Sequence, residues 1–392
     1  MKILHVTSSI DPALGGVSAT LHSLVPALAG LGHPSEIVSL DDPQASFLTS
    51  IPAPVYALGP AHLGYAYSPR LRPWLRAEVS RFDAVIVHGL WQYHGLAAHQ
   101  ALARPGSPPG FVFTHGMLDP WFKRRYPLKH VKKWFYWWLA ERRILCGAKA
   151  VLFTCEEERR LARTSFAGSS YRERVVAFGT AAPPDDADAQ RQAFFRREPD
   201  LRHRPFWLFL GRIHPKKGVD LLIDAYARLA AAGAALPRLV MAGPCADATY
   251  LRQVQQRAAA SCPDGAVVWP GMLTNELKWG ALRAAAAFVL PSHQENFGIA
   301  VVEALACGTP VLISDQVNIW PDITRDGVGL VEPDTADGTF RLLSRWQALD
   351  AAAVHAMRAA ARQSFAQRYE ITAVARSLVN TLQELISPST PR

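Results

Sequence analysis

Short β-rich apolar runs alternate with helical patterns through both halves of the chain, and this alternation constrains the fold more than any other feature. The runs in the first half are ILHVTS (3–8), EIVSL (36–40), AVIVHG (84–89), FVFTHG (111–116) and AVLFTC (150–155). In the second half they are FWLFLG (206–211), RLVMAG (238–243), AVVWPG (266–271), AFVLPS (287–292) and PVLIS (310–314). Strands that are apolar along their length belong to parallel sheets covered on both faces. Two such series predict an α/β protein of two doubly wound Rossmann-like domains facing a central cleft.

With 392 residues the chain is too long for one ordinary core. The boundary lies in GTAAPPDDADAQRQAFFRREPDLRHRP (179–205), rich in Pro, Asp and Arg and without strand periodicity. The expected organisation is an N-terminal domain over 1–180, a linker with a surface helix over 181–204 and a second domain over 205–368. A last amphipathic helix, 369–392, would pack back toward the first domain. Asp186 and Asp188 form a D-x-D pattern in the linker, read here as a solvated turn, and no metal ligand is nominated.

Hydrophobic residues make up 49% and charged residues 19% of the chain, an ordinary globular balance. Five scattered cysteines at no metal or disulfide spacing read as reduced thiols in a cytoplasmic protein. No apolar run approaches the ~20 residues that cross a bilayer. The net charge of +9 is concentrated: between Trp121 and Lys149 nine Lys/Arg face one acid, Glu141. A charge confined to one segment argues against a general nucleic-acid-binding protein.

In open parallel sheets ligands bind beyond the carboxyl ends of the strands, so polar residues just after a strand are the candidates. Gly15 and Gly16 follow the first strand and precede a helix, where a backbone can approach an anion; alone, the pair reads equally as a tight turn. His88 and His115 each end a strand as His-Gly, and His115, with the polar loop after it, is the favoured site residue. Arg212 and Lys217 flank a turn after the first strand of the second half and suit a phosphate clamp.

HQENFGIAVVEALACGTPV (293–311) places Glu295 and Glu303 eight positions apart in an otherwise apolar stretch. Buried carboxylates are expensive without partners. At ~1.5 Å rise per residue they lie on the order of 10 Å apart, too far for a glycosidase-type pair at ~5–9.5 Å. They suit the two hydroxyl-rich ends of an extended ligand, with its anionic middle at the helix N-terminus formed by Phe297, Gly298 and Ile299. On this reading the ligand itself is the partner of the two carboxylates.

GRIHPKKGVDLLIDAYARL, PSHQENFGIAVVEALACGTPVLIS and the Gly-Gly loop together resemble a GT-B-fold, GT4-type retaining glycosyltransferase, whose E-x7-E marker is matched by Glu295 and Glu303. FVFTHGMLDPWFKRRYPLKHVKKWFYWWLAERRIL also resembles a bacterial branch that works in surface-polysaccharide assembly. The resemblance implies a nucleoside diphosphate sugar as donor, a glycan or lipid-linked acceptor, and no metal or other cofactor. It implies that Arg212 and Lys217 contact the diphosphate, Glu295 the transferred sugar and Glu303 the ribose. Gly16 would approach the phosphates, His115 the reacting sugar, and Met272 and Leu273 the base. DQVNIWPDI (315–323) departs from the family by replacing a glycine-rich segment. An epimerase or phosphorylase on the same architecture, and a binding protein without catalysis, are the rival readings; the intact Arg212, Lys217, Glu295 and Glu303 set argues against the last.

The segment 121–145 mixes cations with Trp, Phe and Tyr. Leu128, Val131, Phe135 and Trp138 follow helical spacing, which fits either a core helix or an interfacial helix on an anionic membrane surface. The second reading makes the protein peripheral on the inner face of the plasma membrane.

Overall fold

The computed structural model describes residues 1–14, 16–62, 64–121, 123, 127–168 and 170–387, with the backbone alone for 127–129. It divides into two compact units, Met1–Ala181 with Tyr369–Arg392, and Ala182–Arg368. Each contains one parallel sheet with helices between its strands.

In the first unit the strands are β1 Ile3–Val6, β2 Ser35–Ser39, β3 Val55–Ala57, β4 Ala84–His88, β5 Gly110–Phe113, β6 Ala150–Phe153 and β7 Glu173–Val175. They lie in the order β3-β2-β1-β4-β5-β6-β7. The second unit contributes β8 Phe206–Leu210, β9 Arg238–Ala242, β10 Val267–Gly271, β11 Ala287–Leu290, β12 Val311–Ser314 and β13 Gly329–Glu332, in the order β10-β9-β8-β11-β12-β13. Every pairing in both sheets is parallel. The central strands β1, β4, β6, β8, β11 and β12 are buried at every position, the reason their sequences carry no alternation. Chain order reverses between β1 and β4 in one sheet and between β8 and β11 in the other, giving each unit one switch point.

The stretch 181–204 is not a linker. Its helix Ala187–Arg197 is built into the second unit, with Phe194 fully buried beside Phe206 of β8. A Cβ at Gly280 would lie 2.0 Å from the Gln190 carbonyl, so the helix Asn275–Ala284 approaches backbone to backbone. The D-x-D pattern serves this helix: Asp186 caps it, accepting from Ala189 N at 3.2 Å. The helix Ile371–Ile386 packs on the helix Val17–Gly30 of the first unit.

Between β5 and β6 the helix Pro127–Tyr136 runs through a π-helical turn, Trp137–Glu141, into Arg142–Gly147. Trp137, Ala140, Glu141, Ile144 and Leu145 face the core. Val131, Trp134, Phe135, Trp138 and Leu139 face outward, Phe135 at 60% and Leu139 at 72% exposure. The side chain of Leu128 falls outside the described set. No described helix is long and apolar enough to cross a membrane.

Glu141, the one acid of the basic segment, accepts from Trp91 N at 3.2 Å. Burial pushes its carboxyl up to about 7, although the Trp91 hydrogen bond and Lys133 act the other way. Between the unfolded value near 4.5 and this one, the folded chain holds a proton that the unfolded chain has released. Stability therefore falls as pH rises across that window, by about 3 kcal/mol from this group. Glu141→Gln should remove this part of the slope. Urea unfolding of both proteins at pH 5 and pH 8 checks it, and parallel profiles would contradict the burial argument.

Candidate functional site

Beyond the carboxyl end of β8 the chain makes a tight turn, Gly211 to Gly218, before the helix Val219–Ala231. His214 Nδ1 accepts from Lys216 N at 3.1 Å and shapes the turn Pro215–Lys217. Gly218 closes it at φ 65°, where a Cβ would lie 2.0 Å from the Pro291 carbonyl. Only glycine permits that approach, and it presses this loop against the end of β11. His293 N donates to Lys216 O at 2.9 Å and fastens the two loops together.

Lys217 and Glu295 thereby meet across the switch point in an ion pair. Burial, with Lys216 and Arg212 nearby, pushes the Lys217 ammonium down to about 7. Glu295 is fixed through its backbone, since its N donates to Gln316 O at 2.9 Å and its carbonyl accepts from Asn318 N at 3.0 Å. The atypical segment 315–323 therefore supports the Glu295 loop directly.

The helix Ile299–Ala306 follows, with Gly298 at its N-cap at φ 74° and no side-chain cap. Gly298, Ile299 and Ala300 direct N–H groups without intrahelical acceptors out of this end. Phe297 is buried and Ile299 is exposed beside them. Two turns on, Glu303 is 8% exposed, and Lys278 Nζ lies 2.7 Å from its Oε1. Met272 and Leu273 follow β10, the first exposed and the second buried. Arg212 is exposed on the turn after β8. The second unit thus places Arg212, Lys217, Met272, Leu273, Glu295, Phe297, Gly298 and Ile299 just beyond the carboxyl ends of its parallel strands, and Glu303 inside the helix after β11.

Both carboxylates have protein partners, contrary to the expectation that a ligand alone answers their burial. Each is paired with a lysine, Glu295 with Lys217 and Glu303 with Lys278. Lys278 was not foreseen; in NELKWGALRAAA it reads as one more solvated cation on a helix.

The first unit carries its own candidates. Gly16, at φ 49°, precedes the helix Val17–Gly30 as its N-cap, while Gly15 lies outside the described residues. His115 follows β5 in the left-handed region at φ 50°. Its Nε2 lies 3.0 Å from His88 Nδ1, and His88 Nε2 lies 2.9 Å from His5 Nδ1. A chain of three imidazoles thus crosses the ends of β1, β4 and β5 at the switch point. Burial pushes His5 and His115 down to about 3 and His88 well below its ordinary value, so the rings are neutral. A neutral imidazole has one N–H, so the tautomer of one ring sets the other two. His94 Nε2 lies 2.8 Å from the His88 carbonyl, which can only accept, and therefore bears that ring's proton. His5 was missed, although a histidine inside the apolar run ILHVTS was a legible signal.

Residues 190–364 match the family described as glycosyl transferases group 1, and residues 15–180 match a glycosyl transferase 4-like domain. A curated relative, the D-inositol 3-phosphate glycosyltransferase of Jonesia denitrificans, is 30% identical over 213 residues, which are 52% of this chain and 49% of the relative. The chain thus spans about half the length of the curated relatives it matches. Among solved structures, a glycosyltransferase from Rickettsia africae superposes with TM-score 0.76 at 14% identity, covering 99% of each chain. The Anabaena protein HepE, solved in complex with UDP-glucose, gives TM-score 0.73 at 16% identity, covering 98% of this chain and all of its own.

The pair Lys278–Glu303 can be tested without any ligand. Lys278→Met should destabilise the second unit by about 2 kcal/mol, the scale of a lost hydrogen bond to a charged group, and Glu303→Gln in the same chain should recover part of it. Urea-unfolding midpoints measure this; an unchanged midpoint for Lys278→Met would show that the lysine does not hold Glu303.

Proposed function

We propose, on the premise that this chain belongs to the glycosyltransferases of the GT-B fold, that it moves a hexose-type sugar from a nucleoside diphosphate sugar to a glycan or lipid-linked acceptor. The observation that carries this reading is the Lys217–Glu295 pair at the β8/β11 switch point, beside an uncapped helix N-terminus. A cation, a carboxylate and free N–H groups match, in turn, a diphosphate, sugar hydroxyls and phosphate oxygens. Glu303 with Lys278 would receive the ribose, and Met272 and Leu273 the base.

The donor displaces part of the existing pairing. Phosphate oxygens compete with Glu295 for Lys217, and the released carboxylate accepts from hydroxyls of the transferred sugar. As the C1–oxygen bond to the diphosphate breaks, Lys217, Arg212 and the N–H groups at Gly298 and Ile299 meet the growing negative charge, the principal catalytic effect. The acceptor hydroxyl attacks from the leaving group's face, its proton passes to the departing phosphate oxygen, and the anomeric configuration is retained. On this reading the protein supplies no nucleophile, and neither a metal nor a further cofactor takes part. His115 is assigned to the reacting sugar and Gly16 to the phosphates, and the acceptor belongs to surface polysaccharide or lipopolysaccharide assembly.

Screening UDP-, GDP- and ADP-sugars for thermal stabilisation, then for transfer, tests the reading. Lys217→Ala and Glu295→Ala should each abolish transfer, a loss of at least about 100-fold, with unchanged circular dichroism. Wild-type turnover by either variant would contradict the site, and interconversion of the donor sugar without acceptor would favour an epimerase.

A second observation supports a peripheral location on the inner face of the plasma membrane. Val131, Trp134, Phe135, Trp138 and Leu139 form an exposed apolar surface within the segment that holds nine Lys/Arg. Such a surface fits the headgroup region of an anionic bilayer and would bring the enzyme to a lipid-linked acceptor. Flotation should show binding to phosphatidylserine vesicles that high salt weakens and that Phe135→Ser with Leu139→Ser weakens further. Equal binding to neutral vesicles at all salt concentrations would contradict it.

A further inference from the structure

The first unit buries a carboxylate beside the loop that carries His115. Glu158, on the helix Glu156–Ala162, is 2% exposed. Its Oε1 accepts from Thr114 Oγ1 and from Gly116 N, both at 2.5 Å. Its Oε2 accepts from Thr154 N and Thr154 Oγ1, both at 2.6 Å. None of these four donors is a cation. The carboxylate is satisfied wholly by groups on two loops, those after β5 and β6.

The two residues it grips on the first loop flank His115. That residue sits at φ 50° and Gly116 at φ 75°, so two successive left-handed positions form the turn. For a residue with a Cβ this conformation costs on the order of 1 kcal/mol and persists only where the surroundings impose it. Glu158 bonds to the residue before His115 and to the residue after it, alongside the backbone bonds Met117 N to Thr114 O and Asp119 N to Gly116 O. The ring is held separately, by His88 Nδ1 at 3.0 Å, by stacking on Phe113 with centroids 4.8 Å apart, and by the edge-to-face Phe178 at 5.1 Å.

We propose that Glu158 is the positioning residue for His115, fixing the Thr114–Gly116 turn so that the imidazole meets both His88 and the reacting sugar in a single orientation. The inference rests on the proposed role of His115 at the sugar. A carboxylate suits this task better than an amide, because all four of its partners are donors. A glutamine side chain in its place would turn an NH2 group toward two of them.

The test uses the full chain with 15N-labelled histidine. In Glu158→Gln the ring-nitrogen signals of His115 and His88 should move, and transfer should fall about 100-fold, the scale of a misplaced reacting group, mainly in kcat. Thr114→Val, which removes one donor and keeps the shape of the side chain, should move the same signals with a smaller loss. The double variant H115A/E158Q should be no slower than H115A, because Glu158 acts through the ring. Wild-type ring signals in both E158Q and T114V, or losses that multiply in the double variant, would overturn the inference. Wild-type turnover by H115A would overturn its catalytic half, by removing the reading beneath it; the ring signals, measured without substrate, would still judge whether Glu158 sets the turn.

Discussion

An ammonium and a carboxylate held against each other across a break in strand order organise the candidate donor site. Because β8 and β11 are neighbours in the sheet and distant in the chain, the loops after them meet at a switch point, the place where open parallel sheets bind ligands. Lys217 and Glu295 occupy its two sides. Gly218 sets how closely the loops approach, and the backbone bonds of Glu295 to Gln316 and Asn318 hold the carboxylate in place. The pairing gives each of the two groups a protein partner before any substrate arrives.

The same geometry recurs in the first unit with different chemistry. At the β1/β4 switch point the bridging groups are neutral imidazoles, His5 and His88, with His115 one strand further. One unit therefore presents charge at its switch point, suited to a diphosphate. The other holds uncharged, orientation-sensitive donors and acceptors, with His5 and His88 buried. Glu158 adds a backbone constraint where an ordinary L-residue would not remain in the left-handed region unaided.

The sequence was most informative where burial is uniform. All ten apolar runs became strands; in the central ones, covered on both faces, every position is buried, while β10 at its sheet edge is only partly buried. The three unforeseen strands, β3, β7 and β13, lie at sheet edges, are short and only partly buried, and lack that pattern. Glu295 and Glu303 were legible because two acids in an apolar stretch need an explanation. Lys278 and Lys217 were not legible as their partners, since an ion pair over 25 or 78 positions leaves no local trace. Glu158 was hidden for the same reason: among EEERR it looks like a solvated helix face, and only the tertiary structure shows that one of the three acids turns inward.

The central claim is that a nucleoside diphosphate takes Lys217 from Glu295 and lies between the two glutamates. A crystal structure with UDP, or whichever nucleoside diphosphate binds best, tests it most directly. The account predicts the diphosphate at the N-terminus of the helix Ile299–Ala306, Lys217 on a phosphate oxygen, Glu295 released, and Glu303 on the ribose hydroxyls. A nucleotide bound elsewhere, with the Lys217–Glu295 pair intact, would contradict it.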